Sequence, residues 1–258
     1  MDMNGASIIV TGSSSGMGAT VATGLAAKGA RVVINYSKSE DAARAVAEQC
    51  EQAGGEAILC QANVAEDADC RKLAAAALDK WGRIDGLVNN AGTTRFALHR
   101  DLEALDAEDF QAIYAVNVIG AYQMIRAVAP AMQEQGLGAV VNVSSIAGVM
   151  GRGSSVAYAA SKGALNTMTL SLARALGPEI RVNAICPGLI QGRWLREGLG
   201  AERYDKMVAE METSTPLRKA GTPEDMAETA IWLLEGASHI TGELIIVDAG
   251  LHLGFGKP

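Results

Sequence analysis

Seven short β-rich runs recur along the chain, each followed by a stretch with helical patterning, and that alternation leaves few architectures open. The runs are ASIIV (6–10), RVVIN (31–35), EAILCQ (56–61), IDGLVNN (84–90), GAVVNVS (138–144), IRVNAIC (180–186) and ELIIVD (243–248). Ala/Leu-rich segments compatible with a 3.6-residue period fill the intervals at 16–28, 39–53, 66–81, 106–135, 156–176 and 223–235. Strands separated by helices imply right-handed crossovers, hence a mostly parallel sheet covered on both faces. The unbroken apolar character of SIIV, VVI and LIIV agrees, because parallel strands are buried on both sides. The pattern predicts a doubly wound, three-layer α/β fold around seven strands. No repeat or Pro/Ser-rich linker divides the 258 residues, so a single domain is expected, with 189–218 as a long irregular lid.

The first strand runs directly into glycines and then a helix: IIVTGSSSGMGATVATGLAAKGA, residues 8–30. Gly12, Gly16 and Gly18 let the backbone turn sharply, let a pyrophosphate approach and let the helix lie against the strand. The free N–H groups and positive end of that helix form a local anion site. Such a site is needed, because the chain carries a net charge of −7 and a pI near 5.1. That charge opposes general attraction to nucleic acid or to an anionic membrane. No apolar stretch approaches the roughly 20 residues needed to span a bilayer, and a cytoplasmic protein is expected. Cys50, Cys60, Cys70 and Cys186 fall in different elements with no zinc spacing, and read as reduced core thiols. His99, His239 and His252 are isolated and receive no chemistry, and no metal is expected.

In VAYAASKGAL (156–165), Tyr158 stands four residues before Lys162. A phenol with a pKa near 10 is ionised in only about one molecule per thousand at pH 7. Residues four apart share a helix face, so the Lys162 ammonium can stabilise the Tyr158 phenolate. A downward shift of about two to three units would bring it near working pH, as proton exchange with a ketone or alcohol requires. Ser154 and Ser155 precede the helix and can cap it. The strand GAVVNVS ends just upstream, so a serine of the pair Ser144–Ser145 can reach the same oxygen.

TGSSSGMG (11–18), NNAG (89–92), Asn117, Ser145, the Tyr158/Lys162 pair and PG (187–188) follow in an order that resembles the short-chain dehydrogenase/reductase family, over essentially the whole chain. The resemblance implies a Rossmann-like fold and an NAD(P)-dependent enzyme with Asn117, Ser145, Tyr158 and Lys162 as its catalytic set. Ser145 would polarise the substrate oxygen, with Ser144 packed or capping. Lys162 would also donate to the nicotinamide ribose, and Asn117 would hold a water of the proton relay, the alternative being a bond to a neighbouring carbonyl. Cofactor contacts are expected from Gly12, Ser14, Ser15, Gly16, Met17 and Gly18 in the turn, and from Asn63 and Val64 after the third strand. Asn90, Ala91 and Gly92 would line it, with Asn89 structural, and Pro187, Gly188 and Ile190 would border the nicotinamide.

Family members that prefer NAD end the second strand with an acidic residue; the matching position here is Tyr36, so no carboxylate stands there to repel a 2′-phosphate. Ser37, Lys38 and Ser14 could hold that phosphate, which favours NADP(H) and leaves NAD(H) possible. Three positions depart from the family pattern: Gly192 replaces a threonine, Asn63 an aspartate, and Ser15 the arginine or lysine common before the second turn glycine, which tempers the preference for NADP(H). The expected pocket draws on Thr94, Phe96, Met150, Ile190, Trp194, Leu195 and Leu199, with Arg95, Arg152, Arg193 and Arg196 around its mouth. Those arginines are candidates for an anionic substrate group, or are simply solvated. The implied reaction is hydride transfer between nicotinamide and a small carbonyl or secondary alcohol, with 3-oxoacyl thioester reduction as one version. The alternatives are an NAD-dependent sugar or polyol dehydrogenase and a non-catalytic dinucleotide-binding protein. Relatives are usually tetramers whose long helices, here 106–135 and 156–176, pair across subunits.

Overall fold

The computed structural model describes residues 1–254. Seven strands, all paired in parallel, form one sheet in the order β3-β2-β1-β4-β5-β6-β7. The strands are β1 (Ser7–Val10), β2 (Arg31–Tyr36), β3 (Glu56–Gln61), β4 (Gly86–Asn89), β5 (Gly138–Val143), β6 (Ile180–Pro187) and β7 (Leu244–Val247). Helices α1 (Gly16–Ala26), α2 (Glu40–Gln52) and α10 (Pro223–Glu235) cover one face. Helices α3 (Asp67–Trp81), α5 (Ala121–Gln135) and α7 (Val156–Leu176) cover the other. The doubly wound, three-layer fold is the one the strand pattern predicts.

Strand alternation sorts the core into these two layers. Ile8 and Val10 pack with α1 and α10, whereas Ile9 points the other way and packs with α3 and α5. Ile9 pairs with Val33 on one side and Leu87 on the other, and all three are fully buried. Because the strands are parallel, their carboxyl ends share one edge, and the chain order reverses between β1 and β4. Ligand crevices in open α/β sheets lie at such a reversal.

Two expectations need correction. The helix expected over 106–135 is α4 (Ala107–Tyr114) and α5 joined by a π-helical turn, Ala115–Gly120. By length and composition it could span a bilayer, but Met124, Ile125, Val128 and Met132 are buried against the sheet. The segment 189–218 is largely helical rather than irregular: it holds α8 (Arg193–Leu199) and α9 (Ala201–Ser214). Its apolar residues are too sparse to give a clear period, since only Tyr204 and Met211 of α9 are buried.

Ile9→Ala should lower stability by about 3 kcal/mol, because the cavity opens between three strands that cannot close over it. Urea unfolding at fixed protein concentration measures this; a loss below about 1 kcal/mol would show that this layer repacks.

Candidate active site

The first loop at the carboxyl edge is the glycine turn. Gly12 and Gly16 adopt positive φ, +61° and +55°. A Cβ on Gly12 would meet Ala91 Cα at 3.0 Å, and one on Gly18 would meet Asn90 Nδ2 at 2.4 Å. Gly16, by contrast, faces open space. Ser15 at the start of α1 makes no side-chain cap, so the helix amides face that space. The result is a cradle that admits a phosphate and would be filled by side chains, so these residues fit a dinucleotide.

Amide side chains fix the shape of the cradle. Asn90 Nδ2 donates to the carbonyls of Thr11 and Gly12 at 2.9 and 3.0 Å. Asn90 thus braces the turn rather than turning its amide outward. Asn35, next to last in β2, accepts from Gly12 N–H at 2.9 Å and donates to Ala62 O at 3.0 Å. Ser13 Oγ accepts from Asn35 N–H at 2.9 Å and donates to Val10 O at 2.7 Å. Sequence reading missed Asn35 and Ser13; the available signal was an amide interrupting the apolar strand VVINY.

The remaining cofactor candidates divide between surface and core. Ser14, Ser15, Ser37, Lys38 and Asn63 are exposed or half-buried, and Tyr36, Met17 and Val64 are buried. The Met17 and Val64 side chains belong to the core layers, so only their main chain can face a ligand. Position 36 itself carries no carboxylate, but the carboxylate of Glu40 acts on the Tyr36 phenol. That phenol is raised first by burial and then by Glu40, the first residue of α2, whose charge is paired with Arg44 at 2.8 Å. Asn63 Oδ1 accepts from Ala65 N–H at 3.2 Å and so shapes the entry to α3. Gly188 N–H is bound to Val247 O, and a Cβ there would strike Asp248 at 2.7 Å; Ile190 bridges to Gly221.

Tyr158, Lys162, Ser145, Asn117 and Gly92 come together beside the cradle. Ser155 caps α7 by accepting from Tyr158 N–H at 3.2 Å, while Ser154 instead shares a hydrogen bond with Thr94 at 2.7 Å. Buried Lys162 donates to Val143 O at 2.8 Å, and its Nζ lies 5.6 Å from the Tyr158 ring centroid. A Cβ on Gly92 would lie 3.7 Å from that Nζ and 3.5 Å from Asn117 Oδ1. Ser144 is packed, bonded to Asn166 Oδ1 at 2.5 Å, and buried Asn89 bonds Asn142 at 2.9 Å.

Asn117 sits in the π-helical turn, 1% exposed, where its amide accepts from Thr93 N–H at 2.8 Å. Its Nδ2 donates to Thr93 O and Ser161 Oγ, both at 3.0 Å. Both amide hydrogens are therefore bound to protein, the arrangement of the alternative weighed above. Ser161, which donates to Tyr158 O at 2.7 Å, is a linking residue that sequence reading missed.

The electrostatics reverse one expectation. Burial pushes the Tyr158 phenol up to about 12, the Ser145 hydroxyl pulling back part of that, and burial lowers Lys162 to about 8. The ammonium was expected to lower the phenol. Its hydrogen bond goes to a carbonyl instead, and loss of water around each group dominates both shifts. At neutral pH the pair therefore carries its protons, a form suited to donating one.

Aromatic rings from α8 and from the loop after β4 lie beside this pair. The Phe96 and Trp194 rings lie 5.7 Å apart, and Trp194 and Tyr158 6.4 Å apart. A Cβ on Gly198 would overlap Phe96 at 2.0 Å, so α8 rests on that ring. Where the family pattern has threonine, Gly192 N–H donates to the buried Tyr204 hydroxyl at 3.2 Å, a latch that sequence reading missed. Among the four candidate arginines, Arg95 is bound to Asp109 at 2.7 Å, Arg193 approaches Glu197 at 3.7 Å and Arg196 binds Asp205 at 3.1 Å.

A family model described as enoyl-(acyl carrier protein) reductase matches residues 12–252. The chain belongs to the short-chain dehydrogenase/reductase family. It is 44% identical to a Streptomyces violaceoruber protein named for ketoacyl reductase 2 of the granaticin polyketide synthase, over 95% of each chain. It is 39% identical to the 3-oxoacyl-[acyl-carrier-protein] reductase of Synechocystis, over 94% of this chain and 95% of the other. A crystal structure of a short-chain dehydrogenase/reductase from Burkholderia xenovorans superposes with a TM-score of 0.90 at 42% identity, covering 97% and 99% of the two chains. Membership makes this short-chain dehydrogenase/reductase an NAD(P)-dependent oxidoreductase.

Asn35→Ala should weaken dinucleotide binding about tenfold, because Gly12 N–H and Ala62 O lose their partner and the turn loosens. Titration by nucleotide fluorescence measures it; unchanged affinity in a destabilised protein would confine Asn35 to the core.

Proposed function

We propose that this protein reduces a small carbonyl compound with NADPH, that Tyr158 passes the proton, and that 3-oxoacyl thioesters are the leading substrate class. The observation that carries the reading is the meeting of Tyr158, Ser145 and Lys162 at the sheet edge beside a glycine cradle that fits a dinucleotide. When bound, the nicotinamide supplies the hydride. Ser145 and Tyr158 then hold the substrate oxygen by hydrogen bonds, and the Tyr158 O–H moves its proton onto that oxygen as charge develops. Lys162 keeps a positive charge near this centre while Val143 O fixes its position. Trp194 and Phe96 shield the site from water. The thioester assignment draws on the relatives named ketoacyl reductase and 3-oxoacyl-[acyl-carrier-protein] reductase.

Exposed Lys38, with no ion pair among the described residues, supports NADPH through its charge. The carboxylate of Glu40 near Tyr36 favours a second reading, NADH, since it could accept from the ribose hydroxyls. The proposal includes a homotetramer, for which Ile119, Tyr122, Val156 and Leu170 offer exposed apolar surface on the long helices. It also includes a reducing compartment, consistent with four free, buried cysteines.

Tyr158→Phe should lower kcat for carbonyl reduction at least about a thousandfold while leaving NADPH affinity near wild type; wild-type turnover would end the proposal. Lys38→Glu should raise KM for NADPH far more than for NADH, and equal effects would assign the cofactor to the second reading. The pH profile of reduction follows from the two shifts. Tyr158, raised to about 12, stays protonated through the working range, whereas Lys162, lowered to about 8, loses its charge above that pH. Reductive kcat/KM should be level below about pH 8 and fall above it. A profile level to about pH 10 would remove the Lys162 charge from the mechanism.

A further inference from the structure

A groove of about 590 Å³ opens beside the Tyr158 cluster, between the loop after β4, the turn before α7 and the start of α9. Two of its lining residues adjoin the candidate active site. Gly153 lines it, and a Cβ there would lie 3.4 Å from the Tyr158 ring; Phe96 lines it too, and touches the Trp194 that overhangs the phenol. The ionisable residues of the lining are Arg152, Arg203 and His99, with no carboxylate among them. This is an unusual surface for a chain of net charge −7.

The arginines around the mouth fall into two groups. Arg95, Arg193 and Arg196 are each paired with a carboxylate. Arg152 and Arg203 are exposed and make no ion pair or side-chain hydrogen bond among the described residues. His99 Nε2 is buried without a hydrogen-bond partner at the same wall. Guanidinium groups match the geometry of carboxylate and phosphate oxygens, and the apolar wall of Phe96 and Leu199 suits a carbon chain leading from the carbonyl to such a group.

We propose that this groove is the oxyanion subsite of the substrate pocket, in which Arg152 and Arg203 hold a carboxylate or phosphate that the substrate carries beyond its reacting carbonyl. The proposal rests on the reading that the chain reduces a carbonyl at Tyr158. It makes the preferred substrates anionic compounds whose charge lies one groove length from the ketone. The contacts are remote from the reacting atoms and bind ground and transition state alike, so they act on KM and leave kcat alone.

The test uses a keto acid, its neutral methyl ester and a keto phosphate of equal chain length, with wild type, the Arg152→Gln/Arg203→Gln double variant, and Arg193→Gln as a control for charge outside the groove. The double variant should raise KM for the anionic substrates about tenfold, with kcat and the ester unchanged, and Arg193→Gln should change none of them. The anion that loses more identifies which oxyanion the groove takes. Equal KM for ester and anions in wild type would overturn the proposal, as would an effect of Arg193→Gln as large as the double variant's. If wild type reduces none of the three, the reading of the reaction fails and calorimetric titration of the keto acid decides the subsite. Binding lost in the double variant keeps it, and no binding to wild type removes it.

Discussion

Buried amide side chains hold the loops at the carboxyl edge of the sheet, and the site exists only because they do. Apolar contacts fix strands and helices to one another but give no direction to a loop of glycines and polar residues. Asn35 and Asn90 supply it for the glycine turn, Asn117 for the loop after β4, and Asn89 with Asn142 for the strand ends between them. Each amide bonds a loop or strand end across the sheet edge, and where it is buried the loss of one partner costs about 1–3 kcal/mol. A turn that drifted would break several such pairs at once. The cradle is therefore formed in advance, and a ligand need not order it.

The same burial governs the proton chemistry. A phenol and an ammonium set side by side in water would attract and lower the phenol, which is what the four-residue spacing suggests. Inside the fold each is stripped of water, and the ammonium is bonded to Val143 O, so the phenol rises and the amine falls. The site holds a proton ready rather than a phenolate, which suits reduction more than oxidation at neutral pH. In the proposed reduction the Lys162 charge would act on the developing oxyanion through the field of the pocket, where low dielectric strengthens it.

Much of this was legible in the sequence, where the signal was local. Strand runs such as VVI and LIIV, the glycine turn, and the capping serine before Tyr158 depend on neighbours within one turn or one strand, and they sit where the pattern put them. What depended on distant partners was not legible. The π-helical turn at Asn117 shows no break in helical periodicity, and it answers to Thr93 and Ser161, far along the chain. The lid helices carry too few buried residues to display a period. Asn35 reads as an oddity in a strand until Gly12 and Ala62 are seen on either side of it.

The arginines show the same limit for function. From the sequence Arg95, Arg152, Arg193 and Arg196 were equivalent, four cations near one mouth. The fold separates them by bringing Asp109 to Arg95 across 14 residues and Asp205 to Arg196 across 9, while no carboxylate among the described residues pairs with Arg152. It also adds Arg203, from a segment expected to be irregular, whose place one residue before the Tyr204 latch on α9 ties it to the docking of the lid. Closing α8 onto Phe96 and seating Tyr204 on Gly192 thus shapes the wall that carries Arg203. A charge on the lid and a charge on the fixed turn before α7 then face one groove. In the proposed reduction, recognition of the far end of a substrate would then depend on how α8 and α9 are seated.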